Sequence, residues 1–148
     1  MNDFKTVKYE QDGSVGIITI NRPESMNSFN ARLRHELLEV CQLSTNDDSL
    51  RTIVLTGEGQ LFSAGADLKD GEAANKSLYD VLLSEFRPIF DCIINAPQPF
   101  IAAINGSASG IGLSFALTCD LIIMADNAFM LSPFTTISLI PDGGMNWY

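Results

Sequence analysis

Residues 100–125, "FIAAINGSASGIGLSFALTCDLIIMA", are apolar almost throughout, and this stretch constrains the fold more than any other. A run of that length has the dimensions of a membrane-crossing helix, which needs about 20 apolar residues. Asn105, Asp120 and three serines interrupt it, however, and the "NGSASG" segment loses nearly all side-chain bulk. Such punctuation divides the run into a buried strand, a turn, a helix near 110–118 and a second strand over "DLIIMA". The expectation is a layered domain and not a membrane span.

The rest of the chain repeats this alternation. "TVKYEQDGSVGIITI" (6–20) reads as a hairpin about a Gln-Asp-Gly turn. After the loop "NRPESMNSF", Asn30 is placed to cap a helix in which Leu33, Leu37, Leu38 and Cys41 share one face. "TIVLTG" (52–57) is a short strand without polar alternation, suited to a sheet covered on both sides. "EGQLFSAGADLKDGE" follows as a loop of small residues. The pattern then predicts a long helix over 77–94, with Val81, Leu82, Phe86, Ile89, Phe90 and Ile93 toward the core, and a strand at "PFIAAI". Strands alternate with helices, so the expected class is α/β, in one core domain spanning 1–148.

Charge and cysteine usage exclude several functions. Eighteen acids against nine bases leave a net charge of −9, with no dense Lys/Arg run, which argues against a nucleic-acid surface. A polyanionic ligand is still admissible, because helix N-termini and a few basic side chains can hold phosphates locally. Cys41, Cys92 and Cys119 are odd in number and lack CxxC spacing, which fits buried thiols in a reducing cytoplasm. The N-terminal "MNDFKTVKYEQDGS" lacks the basic and then apolar layout of a leader, so a soluble protein is expected. No His, Cys or acidic cluster has metal-ligand spacing, and His35, the sole histidine, lies among charged neighbours as an exposed helix residue. Phosphate-loop and nucleophile-elbow patterns do not occur.

Two segments stand out. "FSAGADL" (62–68) and "NGSASGIG" (105–112) each follow an apolar strand and consist largely of small residues. They fit tight packing turns, and they fit equally a backbone cradle in which two N–H groups meet on a developing oxyanion. In "SPFTTISLIPDGG" a single carboxylate, Asp142, sits between Pro141 and Gly143–Gly144. Asp beside Gly after Pro is common turn chemistry, and an isolated acid is also what a proton shuttle requires.

Together with the early "NRPESMNSF", the stretches "FSAGADL", "AAINGSASGIGLSFALTCDLIIMAD" and "LIPDGG" occur in order across nearly the whole chain. In this they resemble the crotonase, or enoyl-CoA hydratase/isomerase, family. The resemblance implies a spiral of ββα units that binds an acyl-CoA, with coenzyme A present only as part of the substrate and no tightly bound cofactor. By analogy, the amides of Ala66 and Ile111 form the oxyanion hole, and Gly110 and Gly112 shape the helix start. Ala64, Gly65, Asp67 and Leu68 would lie along the adenine and pantetheine, while Met26 and Ser28 would line the CoA entrance.

The pattern also departs from the family. Hydratases of this group carry two glutamates, and the matching positions here are Ser114 and Phe134. Neither shuttles a proton near neutral pH. Asp142 falls where several family isomerases carry their single base, so the resemblance favours double-bond isomerisation. A hydratase-related lyase, a CoA-thioester hydrolase and a non-catalytic CoA-binding or assembly subunit are the alternatives. Family members continue for roughly another hundred residues, a domain-sized increment. The helical C-terminal part of the family fold is therefore expected to be absent from this chain, which leaves apolar surface and favours a homo-oligomer, a trimer or hexamer by analogy.

Overall fold

A computed structural model describes residues 4–71 and 76–148. The hairpin forms as expected: β1 (Val7–Asp12) and β2 (Val15–Ile20) run antiparallel from the pair Val7–Ile20 to the pair Asp12–Val15. Gly13 makes the turn with φ +58°, a conformation that costs glycine little. β3 (Thr52–Gly57), β4 (Phe100–Ile104) and β6 (Leu121–Met124) then add in parallel, giving the order β1-β2-β3-β4-β6. Each parallel addition needs a crossover, and helices supply it. The first is α1 (Ala31–Thr45), whose cap Asn30 accepts the Leu33 N–H at 2.9 Å.

A second, smaller layer crosses the first. Soon after each main strand the chain takes a short extended step: Phe29, residues 63–66, β5 (Ser107–Ser109) and β7 (Phe129–Leu131). Phe29 bridges Ala66, Ser63 bridges Ala108, and β5 pairs in parallel with β7. Strand, short strand, helix is thus the repeating unit, and the spiral of ββα units is realised. Only a turn was expected at "NGSASG", because three small residues carry no β-prone pattern and their partner strand lies far along the chain.

The helix over 77–94 is three consecutive pieces: α2 (Leu78–Val81), a π-helical segment (Leu82–Phe86) and α3 (Arg87–Ile94). The Arg87 N–H reaches back to the Leu82 carbonyl, five residues away. The widening lies just ahead of Pro88, which has no N–H to donate and whose ring would strike the carbonyl one turn back in a regular helix. Val81, Phe86, Ile89, Phe90 and Ile93 are buried as the periodicity predicts, and Leu82 is partly so. α4 (Ile111–Thr118) completes the set and is buried nearly all round.

Phe115 of α4 lies at the centre of the core, stacked on Phe29 (centroids 4.8 Å apart) and on Phe90 (4.1 Å). Such pairs add about 0.5–1.5 kcal/mol beyond the area they bury. Cys41 and Cys119 are buried and Cys92 is half-buried; all three thiols are free. Two expectations need correction. β3 is not covered evenly on both sides but alternates buried with half-buried residues, and β6 is largely exposed, with Leu121 and Ile123 open to solvent. Apolarity alone does not report which strand lies at a sheet edge. Among the described residues no helix is long and apolar enough to cross a membrane.

Candidate active site

The loop after β2 is held by Asn27. Its side chain accepts the Arg22 N–H and donates to the carbonyls of Glu58 and Leu61, each at 2.9 Å. Met26 and Asn27 both take left-handed backbone (φ 54° and 52°), which aims this loop at the next one. Ser63 then joins the two loops, its hydroxyl donating to the Asn27 carbonyl (2.8 Å) and accepting the Gly65 N–H (3.1 Å). Phe29 donates to the Gly65 carbonyl at 2.8 Å and accepts from the Asp67 N–H at 3.2 Å. Those two bonds use the carbonyl before Ala66 and the N–H after it. Ala66's own N–H therefore points away from Phe29.

Gly65 carries the contact to the second turn. With φ +98°, it sits so close that a Cβ would lie 2.9 Å from the Ser109 carbonyl oxygen and 3.5 Å from the Ile111 nitrogen. Gly112 is equally committed, since a Cβ there would meet the Ser63 hydroxyl at 2.6 Å. Small residues thus let two backbone turns interlock, and they set Ala66 beside Ile111. Ile111 opens α4, where a helix leaves its first amides without intrahelical acceptors at its positive end. Among the described residues, neither the Ala66 nor the Ile111 N–H donates to an acceptor.

A cleft of about 870 Å³ opens beside this junction, and Met26, Ser28, Ala64, Ala66, Asp67 and Leu68 all line it. Gly65 and Gly110 form the backbone contact behind it. Leu68 is 84% exposed at the rim. The Asp67 carboxylate is occupied by Arg22, 3.0 Å away. Burial pushes that carboxyl up, but the Lys69 amide, the Arg22 guanidinium and the Ser28 hydroxyl outweigh it and hold Asp67 below its ordinary range. Asp67 thus lines the cleft with its carboxylate held by Arg22.

Two arginines escaped the sequence reading. Arg22 joins Asp67 to the Ser28 carbonyl across the cleft wall. Arg34, 3% exposed, donates to the Phe29 carbonyl (3.0 Å), to Asp70 (3.0 Å) and to Glu85 (2.8 Å), and its guanidinium lies 5.2 Å from the Phe86 ring centroid. The available signal was the position of Arg34 beside Leu33 and one turn before Leu37, inside the apolar arc of α1.

Asp142 lies close to the same helix. Ser114, three residues beyond Ile111 on α4, donates its hydroxyl to the Asp142 main-chain carbonyl at 3.0 Å. The Asp142 carboxylate is partly buried, and its Oδ1 is enclosed without a hydrogen-bond partner. Burial pushes this carboxyl up to about 6, against a smaller opposing backbone hydrogen bond. Desolvation of this kind disfavours the charged form and keeps the carboxyl protonated to a higher pH. Phe134 is buried, and Asp120 is structural, accepting the Phe100 N–H at 2.8 Å. His35 is exposed.

A spiral of ββα units of this kind is the architecture of the crotonase fold. Residues 10–148 match the profile of the enoyl-CoA hydratase/isomerase family, and the chain belongs to that family. It is 41% identical over 145 residues to a probable enoyl-CoA hydratase of Rhodobacter capsulatus, covering 98% of this chain and 56% of the relative. It is 37% identical to the 1,2-epoxyphenylacetyl-CoA isomerase of Escherichia coli, covering 88% of this chain and 51% of that one. The enoyl-CoA hydratase structure from Bacillus anthracis matches with a TM-score of 0.86 at 33% identity, over 95% of this chain and 55% of its own. The chain spans about half the length of the curated relatives it matches.

Proposed function

We propose that the protein shifts the double bond of an enoyl-CoA, with the Ala66 and Ile111 amides holding the thioester oxygen and Asp142 carrying the proton. The observation behind this reading is the pair of unpaired amides that Gly65 brings together. A 3-enoyl thioester bound there loses a proton from the carbon next to the carbonyl. The electron pair moves into the carbonyl oxygen, and each backbone donor stabilises the resulting enolate by roughly 3 kcal/mol. The carboxylate of Asp142 takes that proton and returns it two carbons further along, giving the conjugated 2-enoyl product. A base near pH 6 is ionised at neutral pH yet still basic enough to accept a proton.

Met26, Ser28, Ala64 and Leu68 would contact the CoA moiety along the cleft. Water addition by two carboxylates is disfavoured, because Ser114 and Phe134 supply none. Exposed Leu121, Ile123, Phe129 and Trp147 support self-association, proposed as a trimer or hexamer and testable by light scattering. The free thiols fit a cytoplasmic location. The functional test is incubation with 3-enoyl- and 2-enoyl-CoA substrates. Appearance of the conjugated thioester chromophore from the 3-enoyl compound supports isomerisation, and hydration of the 2-enoyl compound without isomerisation defeats it.

A further inference from the structure

The cleft beside Ala66 carries no surplus of positive charge. Arg22 and Lys69 line it together with Glu24, Asp67 and Asp70, so acids outnumber bases around a space of about 870 Å³. Ala66 lines the same space, and a thioester seated on its amide therefore has its handle among these charges.

Most of them are committed to one another. The Arg22 guanidinium bonds the Asp67 carboxylate at 3.0 Å and the Ser28 carbonyl, and it donates to the Ser25 hydroxyl at 3.4 Å. With side chains 11% and 15% exposed, Arg22 and Asp67 form an enclosed pair that is neutral as a unit. Asp70 is bonded by Arg34 at 3.0 Å. Glu24 and Lys69 remain. Both are exposed, and among the described residues neither side chain is bonded to an opposite charge. Glu24 belongs to a single 3₁₀ turn, Pro23–Ser25, in a loop that Asn27 holds through Arg22, Glu58 and Leu61. That loop does not need the Glu24 charge to keep its shape.

We propose that Glu24 is a specificity residue that makes the cleft indifferent to the phosphates of coenzyme A, so that the group recognised is the pantetheine thioester. The inference rests on the acyl-thioester reading above. A cleft that gripped phosphates by charge would gather free cations of one sign. Here one cation is neutralised in place and the other shares the cleft with an unpaired acid. An exposed pair of opposite charges is worth at most about fivefold in affinity, and Glu24 offsets what Lys69 supplies. Met26 and Leu68, 58% and 84% exposed on the cleft, offer apolar contact instead. That contact serves a pantetheine arm whether or not a nucleotide follows it.

The experiment is calorimetric titration with butyryl-CoA and butyryl-pantetheine at low and at physiological ionic strength. It is run on the native protein, Glu24→Gln and Glu24→Lys. The native protein should bind the two thioesters within roughly threefold of each other, and added salt should not weaken butyryl-CoA. The butyryl-CoA to butyryl-pantetheine affinity ratio should rise about twofold to fivefold in the glutamine variant and further in the lysine variant. Salt should shrink that gain. A Glu24 that only supports the loop would change both affinities alike and leave the ratio as it was, which overturns the proposal. A native preference for butyryl-CoA above about tenfold that salt abolishes also overturns it, while leaving acyl-thioester binding intact. Absence of binding by both thioesters overturns the acyl-thioester reading and this inference with it.

Discussion

Ser114 donates its hydroxyl to the main-chain carbonyl of Asp142 at 3.0 Å. Ser114, which stands where the family resemblance implies a glutamate in the hydratases, therefore supports the turn bearing the candidate base. The contact is close on both sides, since a Cβ on the neighbouring Gly143 would lie 2.7 Å from the Ser114 Cβ and 2.9 Å from Phe90 Cζ. The turn takes up the space into which a longer side chain at position 114 would extend.

Asp142→Asn keeps the shape of the turn and removes the base. Turnover should fall by about 10²–10⁴ with acyl-CoA affinity little changed. In the native protein, kcat/KM should rise with pH through about 6 and level off, and the variant should lose that limb. Stability should move the other way. The folded state holds the Asp142 proton up to about 6 against an ordinary 3.8, so this group's contribution to stability falls as pH rises through that window. The Asn variant should consequently melt higher than the native protein above pH 6 and close to it below pH 4. Near-normal turnover in a folded variant would remove Asp142 from the mechanism.

Ser114→Glu restores the residue type found in the hydratases, yet it should not create one. Ser114 is fully buried against the 142–143 turn, so the larger side chain overpacks the site by about 1–3 kcal/mol and buries a carboxylate as well. A lowered melting temperature without water addition to 2-enoyl-CoA is expected. Gain of hydratase activity would show that the turn yields to the glutamate.

The sequence was most legible where chemistry and periodicity agreed. α1 with its Asn30 cap, the β1–β2 hairpin and the run β4–turn–α4–β6 follow from local pattern, and Gly65 and Gly112 announce a close approach of two backbones by having no side chain. What pattern did not reveal was set by distant partners. β5 exists because β7 and Ser63 lie beside it, and the π-helical segment reflects Pro88 acting through the register of a long helix. Arg34 reads as surface charge until Asp70, Glu85 and the Phe29 carbonyl surround it. The Asp142 carboxylate could be found in the sequence, but its burial, and so its tuning, depends on how the fold seats its turn, which Ser114 of α4 holds by the main chain.

Gly65→Ala should separate the two unpaired amides. The position has φ +98°, disfavoured for alanine, and the new methyl would meet the Ser109 carbonyl oxygen at 2.9 Å. Relief requires the 64–67 loop to retreat from the start of α4. Loss of one properly aimed donor lowers turnover by about 10²–10³. The measurement is kcat alongside the melting temperature. A loss of stability with full activity per folded molecule would mean that the amides do not work as a pair.

Arg34→Met should test what holds the cleft wall in place. The guanidinium bonds Asp70 and Glu85 with side-chain exposures of 3%, 6% and 18%, so its removal takes a buried cation away from two enclosed carboxylates, while Lys76 stays bonded to Glu85 at 2.6 Å. Breaking a buried pair in this way costs about 3–5 kcal/mol. The effect should depend on pH. Burial alone would raise the Glu85 carboxyl, but Lys76 and Arg34 outweigh it and hold it below its ordinary 4.5. In the native protein that contribution to stability is fully present above pH 4.5 and is lost as pH falls through the lower folded value. Without Arg34 the difference between neutral and acidic stability should shrink. Because Arg34 also bonds the Phe29 carbonyl, and Phe29 in turn bonds Gly65, acyl-CoA affinity should weaken together with the fold. Urea unfolding at neutral pH and near pH 4 reads the first effect, and titration with acyl-CoA reads the second. A variant as stable as the native chain at both pH values would show that the buried cation is dispensable to the loop it joins.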